Sequence, residues 1–238
     1  MKLTAAFVLL IVILGCEKST INGMNKIDTI KTEIPGGQLS YLALGDSYTI
    51  GEAVAQDQSF PYQLKQSLNA QGLKTASPTI IAKTGWTTGE LKDAISSAAL
   101  NQKYDIVTLL IGVNNQYRGN SIDTYRTEFR ELLQTAIAFA NGNAAHVFVV
   151  SIPDWGATPF GKQSGRGEGN IAKEIDQFNA VNKQETLKAG LSYTDITPQS
   201  RNAATDLDLV ASDGLHPSGK MYLEWASALT PAITKAFK

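Results

Sequence analysis

The chain has 238 residues, 43% hydrophobic and 18% charged, with a formal net charge of -1. That length suits one domain with a sizeable core, and the composition excludes long disorder. The near-zero charge, with no Lys/Arg stripe, leaves no electrostatic footprint for nucleic acid, while the lone Cys16 excludes intrachain disulfides and cysteine metal clusters.

Lys2 followed by the apolar run Leu3–Leu14 reads as a targeting segment too short to span a bilayer comfortably. It ends in Ile13-Leu14-Gly15-Cys16, which resembles a bacterial lipoprotein signal. In that reading residues 1–15 are removed and Cys16 is lipidated; an ordinary secretory signal with a chance cysteine is the alternative. Acylation accounts for a lone thiol in an exported chain. Residues 16–38 then form a tether, polar and broken by Asn22-Gly23 and Pro35-Gly36-Gly37. As a flexible coil it reaches roughly 25 Å, enough to hold a domain off a membrane. The implied setting is the bacterial cell envelope, with a membrane as partner through the lipid.

The domain proper is expected over residues 39–238. Strands are predicted at Tyr41–Leu44, Thr79–Ala82, Ile106–Ile111, Val147–Ile152 and Leu191–Thr194. Helices are predicted at Pro61–Gln71, Thr88–Ala99, Ile122–Asn141, Ile171–Ala189 and Gly219–Ala236, with Ser121, Asn170 and Ser218 as N-caps and Asn141-Gly142 as a stop. The run Asp105–Ile111 lacks polar alternation, as a strand covered on both faces should. Alternation of strand and helix predicts a three-layer α/β/α sandwich around a five-stranded parallel sheet, in the flavodoxin-like order 2-1-3-4-5.

In such sheets ligands bind beyond the carboxyl ends of the strands. Gly45-Asp46-Ser47 follows the first strand, Gly85 the second and Gly112-Val113-Asn114-Asn115 the third, so these loops become neighbours. A serine hydroxyl is a weak nucleophile that needs a base, and the base needs a third group to fix its tautomer. Of two histidines, His216 has Asp213 three residues earlier, which completes a Ser47–His216–Asp213 triad candidate. The segment from Ile196 to His216 is long enough to cross the three strand spacings, about 14 Å, between the fifth strand and the first. Alone, Ser47 could simply cap the next helix, and Asp213 with His216 could be turn residues before Pro217. His146 is assigned no role, and Trp225, at core spacing in the last helix, is expected to be structural.

Gly156–Gln163 nearly spells a phosphate-binding loop, but Gln163 stands where magnesium needs Ser or Thr. The following Ser164–Gly169 is not expected to start a helix, so the stretch reads as a mobile surface loop beside the site.

With these residues placed, the chain resembles the SGNH hydrolases, also called the GDSL esterase/lipase family. Ser47 matches the family nucleophile, Gly85 and Asn114 the oxyanion-hole glycine and asparagine, and Asp213 with His216 the Asp-x-x-His block. One departure is Asn115, where the family pattern has aspartate. Asn114 keeps its amide donor and Asn115 offers it a neutral partner, a tuning rather than a loss. The resemblance implies hydrolysis of a carboxylic ester through an acyl-enzyme, with the N–H groups of Ser47 and Gly85 and the Asn114 amide meeting the oxyanion, and no metal or organic cofactor. By position, Trp86 and Trp155 after strand ends and Tyr117 and Arg118 just past Asn114 are candidate substrate contacts; core or rim packing is the alternative for the two tryptophans and a solvated loop for the other two. Short-acyl or carbohydrate esters are favoured as substrate because no long apolar lid segment is evident. Acyl transfer to a glycan, lysophospholipase or thioesterase action and non-catalytic glycan binding are the alternatives.

Overall fold

The computed structural model describes residues 37–238. The signal segment, Cys16 and all of the tether except Gly37 and Gln38 lie outside the described residues. Among the latter, no helix is long and apolar enough to cross a membrane.

Five strands, β1 (Tyr41–Gly45), β2 (Thr79–Ala82), β3 (Ile106–Leu110), β4 (Val147–Val150) and β5 (Ser192–Thr194), form one parallel sheet. Their order is β2-β1-β3-β4-β5, as the sequence implied. β1, β3 and β4 are buried along their whole length, which explains their unbroken apolar runs. Each fully buried Leu or Phe contributes roughly 1.5–3 kcal/mol.

Four long helices follow the strand-to-helix alternation: α2 (Phe60–Ala70), α3 (Thr88–Ala98), α5 (Ile122–Phe139) and α7 (Glu168–Lys188); α9 (Gly219–Ala236) closes the chain. Short helices α1 (Ser47–Ile50), α4 (Val113–Tyr117), α6 (Pro159–Gln163) and α8 (Thr197–Ser200) lie between them. α2 packs against α9, while α3, α5 and α7 pack side by side. Right-handed crossovers produce this split, because β1 to β2 runs one way across the sheet and β2 to β5 the other. The result is the α/β/α sandwich.

Boundaries moved where glycine chemistry intervened. α5 stops at Phe139, and Asn141 and Gly142 then take left-handed φ values of 55° and 80°. α7 starts at Glu168, three residues before the expected Ile171, so Ser164–Gly169 does lead into a helix. Gly167 at φ 82° is its N-cap. Asn170 is therefore not a cap; it sits within the first turn and its amide donates to the Arg166 carbonyl at 3.0 Å. Ser121 and Ser218 do cap their helices, accepting from Thr124 N–H and Met221 N–H.

Candidate active site

The sheet register levels three strand ends. Gly45 lies opposite Ala82 of β2 and Leu110 of β3, so the loops that follow leave the sheet at one height. A Cβ at Gly45 would collide with the Thr49 side chain and the Leu110 carbonyl, so the turn into α1 requires glycine there. Asp46, not Ser47, is the N-cap: its Oδ1 accepts from Tyr48 N–H at 3.1 Å. Ser47 is thereby left as the first residue of α1, 5% exposed, with its hydroxyl not used for capping. The Asp46 carboxyl is fully buried, its Oδ2 has no hydrogen-bond partner among the described residues, and burial raises its pKa to about 7.

Asp213 and His216 share one tight turn after α8. Asp213 Oδ1 accepts from the N–H groups of Leu215 and His216 at 2.9 and 3.0 Å, and its Oδ2 lies 2.5 Å from His216 Nδ1. Burial pushes the Asp213 pKa up, but the His216 ring and the two N–H groups outweigh it, so the carboxyl sits below its ordinary range. The turn is pinned by Ala211 N–H to the His216 carbonyl at 2.7 Å and by Ser218 N–H to the Leu209 carbonyl at 2.9 Å. The crossing segment before it is folded into α8 and short 3-10 turns rather than left as open loop. It is tied to the end of β4 by Ser200 Oγ, which accepts from Asp154 N–H, and by Arg201 Nε on Asp154 Oδ2, both at 2.9 Å.

Gly85 adopts φ 88°, a left-handed conformation that favours glycine. Its carbonyl accepts from the Arg118 guanidinium, and Arg118 also pairs with Glu90 at 3.2 Å. Among the described residues no acceptor within the protein is found for the N–H of Ser47 or of Gly85. The Asn114 amide donates to the Trp86 carbonyl at 3.0 Å, which leaves its second N–H available. Asn115 is buried and does not partner Asn114, contrary to expectation. Its side chain instead grips Thr88 at the start of α3.

Ser47, Gly85, Asn114 and His216 line a single cavity of about 210 Å³. Among the described residues, no direct hydrogen bond joins Ser47 to His216. Of the four candidate substrate contacts, Tyr117 and Trp155 line the cavity, packed edge to face with centroids 5.4 Å apart. Trp155 Nε1 donates to Gln116 Oε1 at 2.8 Å, which fixes the ring. Trp86 and Arg118 do not line it: Trp86 packs against the core and Arg118 is engaged by Gly85 and Glu90. Phe160 and Leu215 are wall residues that sequence reasoning missed. Phe160 belongs to the stretch expected to be a mobile loop, which is instead a 3-10 turn at Trp155–Ala157 followed by α6, capped by Thr158. Its attachment to the Gly214 carbonyl at 2.9 Å joins that stretch to the His216 turn. The available signal was Thr158-Pro159, an N-cap residue followed by proline, which starts a helix and so orders Phe160. Trp225 is buried in α9, and His146 stacks on Phe237 at 4.4 Å and does not line the cavity.

Among solved structures, TesA superposes with a TM-score of 0.65 at 16% identity, covering 83% of this chain and 99% of its own. A lipase/acylhydrolase from Enterococcus faecalis gives 0.64 at 20% identity, covering 84% and 98%. Axe2, an acetylxylan esterase from Geobacillus stearothermophilus, gives 0.62 at 19% identity, covering 83% and 95%. At these identities the likeness is one of fold. No curated protein sequence matches the chain. The sequence model of the GDSL-like lipase/acylhydrolase family matches residues 43–223, most of the chain. That span runs from β1 into α9, and the chain belongs to the GDSL-like lipase/acylhydrolase family, the SGNH carboxylic ester hydrolases.

Proposed function

We propose that this enzyme cleaves short-acyl esters, carbohydrate acetates foremost, with Ser47 as nucleophile, His216 as general base and acid, and Asp213 as the group that orients the ring. What supports the reading is the shared lining of one cavity by Ser47, Gly85, Asn114 and His216, with Asp213 on the far nitrogen of the imidazole. As the Ser47 oxygen attacks the ester carbonyl, His216 Nε2 takes its proton, and Asp213 stabilises the imidazolium. The N–H groups of Ser47 and Gly85 and the free N–H of Asn114 are the donors for the oxyanion. His216 then returns the proton to the departing alcohol, and water repeats the sequence on the acyl-enzyme.

The substrate preference is supported by size: about 210 Å³ falls below the roughly 300–1,000 Å³ of drug-sized ligand pockets. The aromatic wall of Tyr117, Trp155 and Phe160 offers flat apolar surface for a sugar ring. Axe2, which shares the fold, is an acetylxylan esterase. We further propose that Cys16 carries the lipid that anchors the enzyme in the bacterial envelope, on the strength of the sequence ending at Gly15-Cys16.

Ser47→Ala should abolish cleavage of p-nitrophenyl acetate while far-UV circular dichroism stays unchanged. Turnover by that variant at the wild-type rate would remove the nucleophile assignment. In a series of p-nitrophenyl esters, kcat/KM should fall from acetate and butyrate to the long acyl chains.

A further inference from the structure

Asn115 stands where the family pattern has aspartate, and its surroundings are wired to suit the amide. Asn115 Oδ1 accepts from the backbone N–H of Thr88 at 3.0 Å. Since a backbone N–H can only donate, the amide cannot be turned round, and Nδ2 must face Thr88 Oγ1, at 2.7 Å. The Thr88 hydroxyl thus accepts from Asn115, and its single proton goes to Oε2 of Glu128, which reaches over from α5. Both Asn115 and Thr88 are buried. Gly89 leaves room for the carboxylate: a Cβ there would lie 3.2 Å from Glu128 Oε1. The negative charge sits by the first turn of α3, where the helix dipole favours it.

This wiring runs in one direction. With aspartate at 115, one carboxylate oxygen would still take the Thr88 N–H, but the other would demand the hydroxyl proton that Glu128 now receives. Two carboxylates would then compete for one proton. In this chain the carboxylate at the contact comes from Glu128 on α5, with Thr88 relaying between it and Asn115.

The consequence for catalysis follows from what Thr88 and Asn115 flank. Asn114 reaches the Trp86 carbonyl and Asn115 reaches Thr88, so two adjacent residues of α4 are stitched to the segment that follows Gly85. We propose that Glu128 is a positioning residue of this active site, which helps set the distance between Gly85 and Asn114 by taking the Thr88 hydroxyl proton and so leaving the Thr88 oxygen to accept from Asn115. This rests on the proposed roles of Gly85 and Asn114 as oxyanion donors.

The test is a cycle of Asn115→Asp, Glu128→Gln and the double variant, read as kcat and KM on p-nitrophenyl acetate and as Tm. Asn115→Asp should lower kcat about tenfold with KM nearly unchanged, and Glu128→Gln should lower it about threefold. In the double variant the glutamine amide donates to Thr88 and the hydroxyl donates to the new carboxylate at position 115, so the chain of bonds is intact and reversed. Its kcat should exceed that of Asn115→Asp at least about threefold, so the same Glu128→Gln change slows the wild type and speeds the aspartate variant. A double variant no faster than Asn115→Asp, or Asn115→Asp at wild-type kcat with only a lower Tm, overturns the proposal. Should Asn115→Asp not fold, Thr88→Val must be at least about fivefold slower in kcat than Thr88→Ser; equal rates overturn it. Ser47→Ala runs alongside: an active Ser47→Ala sinks the proposed mechanism itself, whereas an inactive one without the sign reversal sinks only the role of Glu128.

Discussion

Asp46→Asn should flatten much of the pH dependence of stability. The Asp46 carboxyl lies at the turn between β1 and Ser47, fully buried, and burial raises its pKa from the ordinary 3.8 to about 7. Because the folded value is the higher one, the unfolded chain ionises first as pH rises. Stability from this group is therefore fully present below about pH 3.8 and is lost progressively until about pH 7. At about 1.36 kcal/mol per pH unit, the loss is about 4 kcal/mol, a large share of a typical domain's total. Asparagine keeps a carbonyl oxygen to accept from Tyr48 N–H, so the cap survives the change. Urea unfolding of both proteins at intervals from pH 4 to 8 gives the difference in free energy, in which all shared titrating groups cancel. That difference should move in favour of Asp46→Asn by about 3–4 kcal/mol across the range. A difference that stays constant with pH would show that Asp46 is ionised in the folded protein and that burial does not govern its titration.

Under the proposed mechanism, in which Asn114 donates to the developing oxyanion, Asn114→Ala should lower kcat about 10²–10³-fold on p-nitrophenyl acetate with KM little changed. Asp213→Asn should lower kcat by about 10⁴-fold through the wrong imidazole tautomer. It should leave Tm close to that of the wild type, because the asparagine oxygen still accepts from the Leu215 and His216 N–H groups. Metabolic labelling with a radioactive fatty acid should mark the wild type and not Cys16→Ala, and the unlabelled variant should appear in the soluble fraction with its esterase activity intact. Label retained in Cys16→Ala would remove the anchor assignment.

The sheet was legible because its strands are buried on both faces and so announce themselves as runs such as Ile106–Leu110. The long helices were legible by period and caps. The four short helices were not, since four or five residues cannot offset the cost of their own nucleation and carry no periodic signal. α1 and α4 exist because the strand ends and the glycines at 45 and 112 hold them; a Cβ at Gly112 would meet Ile152 and Tyr125 at 2.8 Å. The start of α7 was misplaced for a related reason. A run with three glycines among Ser164–Gly169 reads as loop, yet Gly165 and Gly167 in left-handed conformations turn the chain directly into the helix.

Within the site, residue types were legible and bond directions were not. Trp86 and Trp155 both follow strand ends, and sequence gives them equal claim on the cavity. They part company because Trp155 has Gln116 to receive its indole N–H, whereas Trp86 supplies its backbone carbonyl to Asn114 and turns its ring to the core. Asn115 makes the same point more sharply. Beside Asn114 in sequence, it suggests a partner for Asn114. Successive residues on a helix point about 100° apart, however, so one side chain reaches the Trp86 carbonyl while the next reaches Thr88. Whether the departure from aspartate is tolerated is then decided by which carboxylate can take the Thr88 proton, and the one that does, Glu128, lies on another helix, where a motif confined to neighbouring residues could not reveal it.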